Sequence, residues 1–131
     1  MRVPDVVKRL AHATGAHRIT TRPSARHVEV ACGDVVLARS DRAIELEETG
    51  APTRFYLPRE DVRTDLLASS DTTTHCPFKG DAAWFSAPGC SDAFWVYDNP
   101  SEDAALPIAG RLAPHPGRVA VRVTPGARGP S

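Results

Sequence analysis

The chain has 131 residues, 41% of them apolar and 24% charged, which suits one globular domain with a modest core. Sixteen Lys and Arg balance sixteen Asp and Glu, so no net field draws the protein to nucleic acid or to an anionic membrane. No apolar run approaches the roughly 20 residues of a membrane span, and charges at positions 2, 5, 8 and 9 of "MRVPDVVKRL" interrupt any signal-peptide core. A cytoplasmic protein is expected.

In chain order, "PDVVKRLAHATGA" places Val6, Val7, Leu10 and Ala11 at helical spacing, predicting an N-terminal helix over about 4–14. From residue 26 the period changes. "RHVEV" alternates, "CGD" supplies a turn and "VVLA" follows, which together read as a hairpin. "RAIELEE" alternates again, "TGAPT" breaks it, and "FYLP" opens a short extended piece. "REDVRTDLLASS" spaces Val62, Leu66 and Leu67 as one short helix near residues 59–68.

After "TTTHCPFKG" come "DAAWFSA", a Pro-Gly turn and "DAFWVYDNP". "SEDAALP" reads as a helical turn, and "IAGRLA" and "RVAVRV" read as closing strands. The tail 125–131 has no large apolar residue and is expected to fray. Short strands punctuated by Gly and Pro predict one mainly β, antiparallel domain over 1–131, with its core at about 18–124. A domain so small has sheet edges to cover, which predicts a homodimer.

Several residues break the pattern. Period two puts Arg42, Ile44, Leu46 and Glu48 on one side of "RAIELEE". Either both charges reach water at the frayed ends, or they line a cleft at the edge of the core that holds a small polar ligand. In "TTTHCP", Thr72, Thr74 and Cys76 share one face and Thr73 and His75 the other. Cys76 is then a small apolar filler, or a nucleophile whose thiol is activated by Lys79, one of only two lysines in the chain. "FWVYDNP" sends Phe94 and Val96 to one face, Trp95 and Tyr97 to the other; one pair fills the core and the other borders a cleft or a subunit contact.

Cys32, Cys76 and Cys90 are odd in number, far apart, and form no C-x-x-C, so neither a disulfide framework nor a zinc knuckle is expected. His75 and Cys76, as strand neighbours, point to opposite faces and do not chelate one ion. No metal and no cofactor is called for. Phosphate-cradling Gly loops, G-x-S-x-G and H-E-x-x-H are all absent.

The stretches "RAIELEETGAPTRFYLPREDV", "TTTHCPFKGDAAWF", "FWVYDNP" and "IAGRLAPHPGRVAV" resemble the domain-of-unknown-function 427 family over roughly residues 24–123, with T-x-C-P-x-K-G the most specific mark. The resemblance implies a β-tent-like architecture of two small antiparallel sheets, shared with methionine sulfoxide reductase B domains and zinc-binding relatives. Those relatives hold zinc on two cysteine pairs that this chain lacks, so their metal is not carried over. A nucleotidyltransferase-like label attached to the family is also set aside, because no Gly-Ser followed by D-x-D occurs. The family pattern marks Arg42, Glu48, Tyr56, Pro58, Asp61, Thr74, Cys76, Pro77, Lys79, Gly80, Trp95 and Tyr97. Where the family usually has an aromatic pair before its last strand, this chain has Pro114 and His115; His115 either supplies an acid-base group that relatives lack or, as expected, sits in a solvated loop.

Two functional classes follow. The first is an enzyme acting on a small metabolite, with Glu48, Cys76 and Lys79 as catalytic groups. Arg42, Tyr56, Thr74, Trp95 and Tyr97 would hold the ligand, and Arg42 or Lys79 would meet an anionic group. The second is a non-catalytic binding or accessory module using the same cleft.

Overall fold

Alternation and turn residues together decide where each strand begins and ends. The computed structural model describes residues 17–126; the helix expected over 4–14 lies outside them, as does the tail beyond 126. Ten strands form: β1 (Ile19–Pro23), β2 (Arg26–Cys32), β3 (Val35–Ser40), β4 (Ile44–Glu48), β5 (Arg54–Tyr56), β6 (Ala68–Cys76), β7 (Gly80–Ala87), β8 (Cys90–Tyr97), β9 (Leu112–Pro114) and β10 (Ala120–Pro125). In β2 the alternation turns Val28, Val30 and Cys32 inward, and Gly33, at φ 58°, makes the tight turn into β3 that few other residues tolerate.

The strands assemble into three small antiparallel sheets where two were expected: β1-β4-β5, β10-β2-β3 and the meander β6-β7-β8-β9. The third sheet exists because β1, whose polar "ITTRP" carries no apolar alternation, pairs along all of β4. The helix expected near 59–68 is likewise corrected. Two 3₁₀ turns, Arg59–Asp61 and Thr64–Leu66, take its place, with Val62 between them in extended backbone and bridged to Ala38. That bridge interrupts the helical hydrogen-bond ladder after one turn. A third 3₁₀ segment, Asp103–Ile108, matches the helical turn read from "SEDAALP". Among the described residues no helix is long and apolar enough to cross a membrane.

The core divides in two. Val28, Val30, Leu37, Leu57, Phe94, Val96 and Leu112 form one cluster. Leu46, Tyr56, Ala82, Trp95, Tyr97, Ile108 and Ala113 form the other. Strand β8 lies between them, sending Phe94 and Val96 into the first and Trp95 and Tyr97 into the second, as its alternation predicts. A disulfide joins Cys32, at the end of β2, to Cys90, at the start of β8, with their Cα atoms 6.2 Å apart. This corrects the expectation that the cysteines form no disulfide framework: the two strand ends meet only through long-range folding, which spacing along the chain does not express. Cys76 alone remains free.

Strand β4 is buried on both faces at its centre. Leu46 faces the second cluster, while the Glu45 carboxylate, 4% exposed, accepts hydrogen bonds from the Ser24 hydroxyl at 2.6 Å and the Arg22 guanidinium at 3.1 Å. Burial pushes the Glu45 carboxyl up, but the Ser24 and Arg22 bonds outweigh it and hold it below the ordinary 4.5. A carboxyl depressed in the folded state stabilises the fold above its unfolded value, and that contribution is lost as pH falls below it. Thermal melts between pH 6 and 3 (a range of about 3 units) should therefore fall more steeply for wild type than for Glu45→Gln, whose amide does not titrate. Equal slopes would remove Glu45 from the acid response.

Candidate active site

The first sheet and the meander face one another across a cleft of about 260 Å³. Glu48 at the end of β4, Ala51 in the following turn and Arg54 at the start of β5 form one side. Lys79, Trp84, Trp95, Tyr97 and His115 form the other. Pro77-Phe78-Lys79 is the turn between β6 and β7, closed by the Lys79 amide donating to the Cys76 carbonyl at 3.2 Å. Gly80 ends that turn at φ 99°, where a Cβ would stand 2.8 Å from the Asn99 carbonyl oxygen. Only glycine fits both demands, and the turn so shaped carries Lys79 to Glu48.

The Glu48 carboxylate bridges two donors. One oxygen meets the Lys79 ammonium, and the other lies 2.9 Å from Nε2 of His17, whose ring stacks on Phe78 at 3.6 Å. The Glu48, Lys79 and His17 side chains are 11%, 12% and 12% exposed. The ammonium also lies 5.7 Å from the centre of the Tyr97 ring. This is a nearly buried chain of three ionisable groups at the mouth of an aromatic cleft.

The aromatic wall is a connected set. Trp84 and Trp95 lie 5.4 Å apart, and His115 packs against both, at 5.7 and 6.0 Å. Trp84 donates to the Thr74 hydroxyl at 3.0 Å, and Trp95 donates to the Tyr56 hydroxyl at 3.1 Å. Thr74 and Tyr56 thus fix the indoles from behind. Burial pushes the Tyr97 phenol well above its usual range, with Tyr56, Cys76 and Glu48 adding to the effect, so it stays protonated and able to donate. The Tyr56 phenol is raised in the same way, chiefly by burial, against the opposing bond from Trp95. His115 is half-buried in this wall, not solvated in a loop. Its Nδ1 accepts the Gly117 amide at 3.0 Å, which in the neutral ring leaves the proton on Nε2.

Of the residues singled out in the sequence, Glu48, Lys79, Trp95 and Tyr97 come together at the cleft, with Tyr56 and Thr74 directly behind it. Cys76 packs against the second core cluster and is not among the residues lining the cleft. Arg42 is elsewhere. It precedes β4, six residues or about 20 Å of extended chain from Glu48, and its guanidinium is bound by the Asp61 carboxylate at 2.8 Å. Period two set both charges on one side of a strand, but β4 begins only at Ile44, so the count does not extend to Arg42 and the expected shared cleft does not form.

Sequence reasoning missed three members of the site. His17 lies between the helix expected over 4–14 and the first recognised strand; Trp84 sits in β7 and Arg54 at the start of the three-residue β5, neither of which was read for its facing. A wider hollow of about 800 Å³ along β6 and β7 bears the His75–Asp81 pair at 2.6 Å. With Asp81 85% exposed, that pair is solvated and offers none of the enclosure found at Glu48.

The family described as a domain of unknown function (DUF427) matches residues 20–124, a span that includes every residue lining the cleft. The chain belongs to that family. No curated protein matches it. Within the DUF427 span lie both halves of the cleft, from the β4–β5 side to His115, and only His17 stands just outside it.

Proposed function

We propose that the protein is an enzyme acting on a small metabolite in this cleft, with the Glu48–Lys79 pair moving a proton on the bound molecule. The observation that supports this reading is the pair itself, nearly buried yet forming part of the cleft wall. An ion pair removed from water is a poor source of stability, so its placement against an aromatic cavity argues for use in chemistry. In this reading Glu48 takes the proton and Lys79 stabilises the carboxylate or returns a proton to the product. The neutral Tyr97 phenol donates a hydrogen bond that orients the substrate. Lys79 lies close enough to Glu48 for the proton to pass between them without a further group.

A second reading is favoured by one feature: both oxygens of Glu48 already have donors. That arrangement would serve a binding module in which the pair only shapes the cleft. Mass-spectrometric profiling of a metabolite extract incubated with the protein separates the two. An enzyme depletes at least one compound, and Glu48→Gln slows that depletion by about 100-fold. A compound that is retained by the protein and never altered would decide for the binding module. The same proposal includes a cytoplasmic setting and a homodimer, which light scattering should report at twice the 14.1 kDa chain mass.

A further inference from the structure

We infer that the cleft receives a small oxyanion, a carboxylate or a phosphate ester on a flat unsaturated body, and that Arg54 recognises its charged end. This rests on the cleft being a ligand site, as proposed above, and adds the class of ligand and the residue that selects it. The cations singled out from the sequence for an anionic group are both engaged: Arg42 by Asp61, and Lys79 by Glu48. Arg54 is not. Among the described residues no carboxylate pairs with it and no hydrogen bond engages its guanidinium, although it is half-buried and lines the cleft.

Its position is nevertheless defined. The guanidinium carbon stands 5.6 Å from the centre of the Trp95 ring. At that distance the indole holds the cation without a hydrogen bond, so its N–H groups are left to receive a carboxylate or phosphate through two parallel bonds. A partly desolvated cation without a partner is costly, and an incoming oxyanion relieves that cost.

The rest of the wall specifies the body of the ligand. Trp84, Trp95 and His115 present three aromatic rings within 6.0 Å of one another, too close to admit a ring between them, so a flat ligand lies over them. The Nε2–H of His115 and the Tyr97 phenol supply neutral donors beside it. At about 260 Å³ the space falls below the roughly 300–1,000 Å³ of drug-sized pockets, so the body is a single small ring system.

The chain has two tryptophans and both line the cleft, so their indole N–H resonances report its occupancy directly. The full chain is titrated with benzoate, phenyl phosphate and the neutral benzamide. Both anions should shift the two resonances saturably, with benzamide at least about tenfold weaker, and Arg54→Gln should weaken the anions by a similar factor while leaving benzamide unchanged. Whichever anion binds more tightly identifies carboxylate or phosphate as the natural group. Arg122→Gln, an exposed charge on β10, controls for net charge and should change nothing. The titration uses binding, not turnover, so it stands apart from the depletion experiment. Equal affinity for benzamide and benzoate, or anion binding that survives Arg54→Gln, ends the anion assignment and leaves the cleft proposal standing. Unmoved indole resonances with all three probes overturn the inference, and if no compound is depleted or retained either, the proposed function falls with it.

Discussion

Glu48→Gln is expected to lower the thermal midpoint by roughly 10 °C or more, because it keeps the shape of the side chain but removes the carboxylate that, among the described residues, neutralises Lys79. Both side chains are about nine-tenths buried. Breaking such a pair from one side leaves an uncompensated charge and costs about 3 kcal/mol. The amide can still meet the ammonium through its oxygen, which limits the loss, yet its NH₂ group then faces His17, where the carboxylate had accepted. Lys79→Met in the same chain removes the stranded ammonium. The double variant should therefore regain most of the stability lost in the single one, as a double-mutant cycle detects. An unchanged melt in Glu48→Gln would mean that the pair contributes nothing to the fold. A double variant that melts like wild type but neither depletes nor retains a compound would place the value of the pair wholly in the cleft.

Reduction of the Cys32–Cys90 bond should have the largest effect on stability. The bond closes a loop spanning 58 positions, and constraint of the unfolded chain over that length is worth about 4 kcal/mol in the chain-entropy account. For a domain of this size the midpoint should drop by roughly 15 °C on addition of a thiol reductant. Cys32→Ser with Cys90→Ser should melt at the reduced temperature and ignore the reductant. Wild type indifferent to reductant would show that the two sulfurs stand as thiols.

How far the sequence reveals all this depends on whether a feature is local. The alternation in β8 placed Phe94 and Val96 opposite Trp95 and Tyr97, and the structure gives each pair its own cluster. Glu48 was visible as a carboxylate on the core-facing side of β4, and it proves nearly buried beside Lys79. The family resemblance was equally legible, and the family's match covers residues 20–124; within it the contiguous stretch Thr74 to Gly80 ends on a glycine that takes positive φ against the Asn99 carbonyl.

What escaped was non-local. Cys32 and Cys90 look unrelated until β2 and β8 are brought side by side. Arg54 sits in a three-residue strand, too short for periodicity to state a facing. Glu45 was passed over because β4 reads as one-sided, whereas Ser24 and Arg22 of a neighbouring segment bury its second face. His115 read as a loop residue because its partners, Trp84 and Trp95, lie on other strands.

The division of β8 between two clusters also constrains how this chain can change its length. Consecutive side chains of one strand serve the stability core and the cleft in turn, so inserting or deleting one residue there would exchange them. Phe94 and Val96 would be thrust into the cleft while Trp95 and Tyr97 were driven into the main core. Length variants in this protein should then be confined to the turns, such as that at 49–53, where an added residue alters the rim of the cleft without shifting any register. A scanning library of single-codon insertions, sorted for folded protein, should show tolerance around that turn and none from Phe94 to Tyr97.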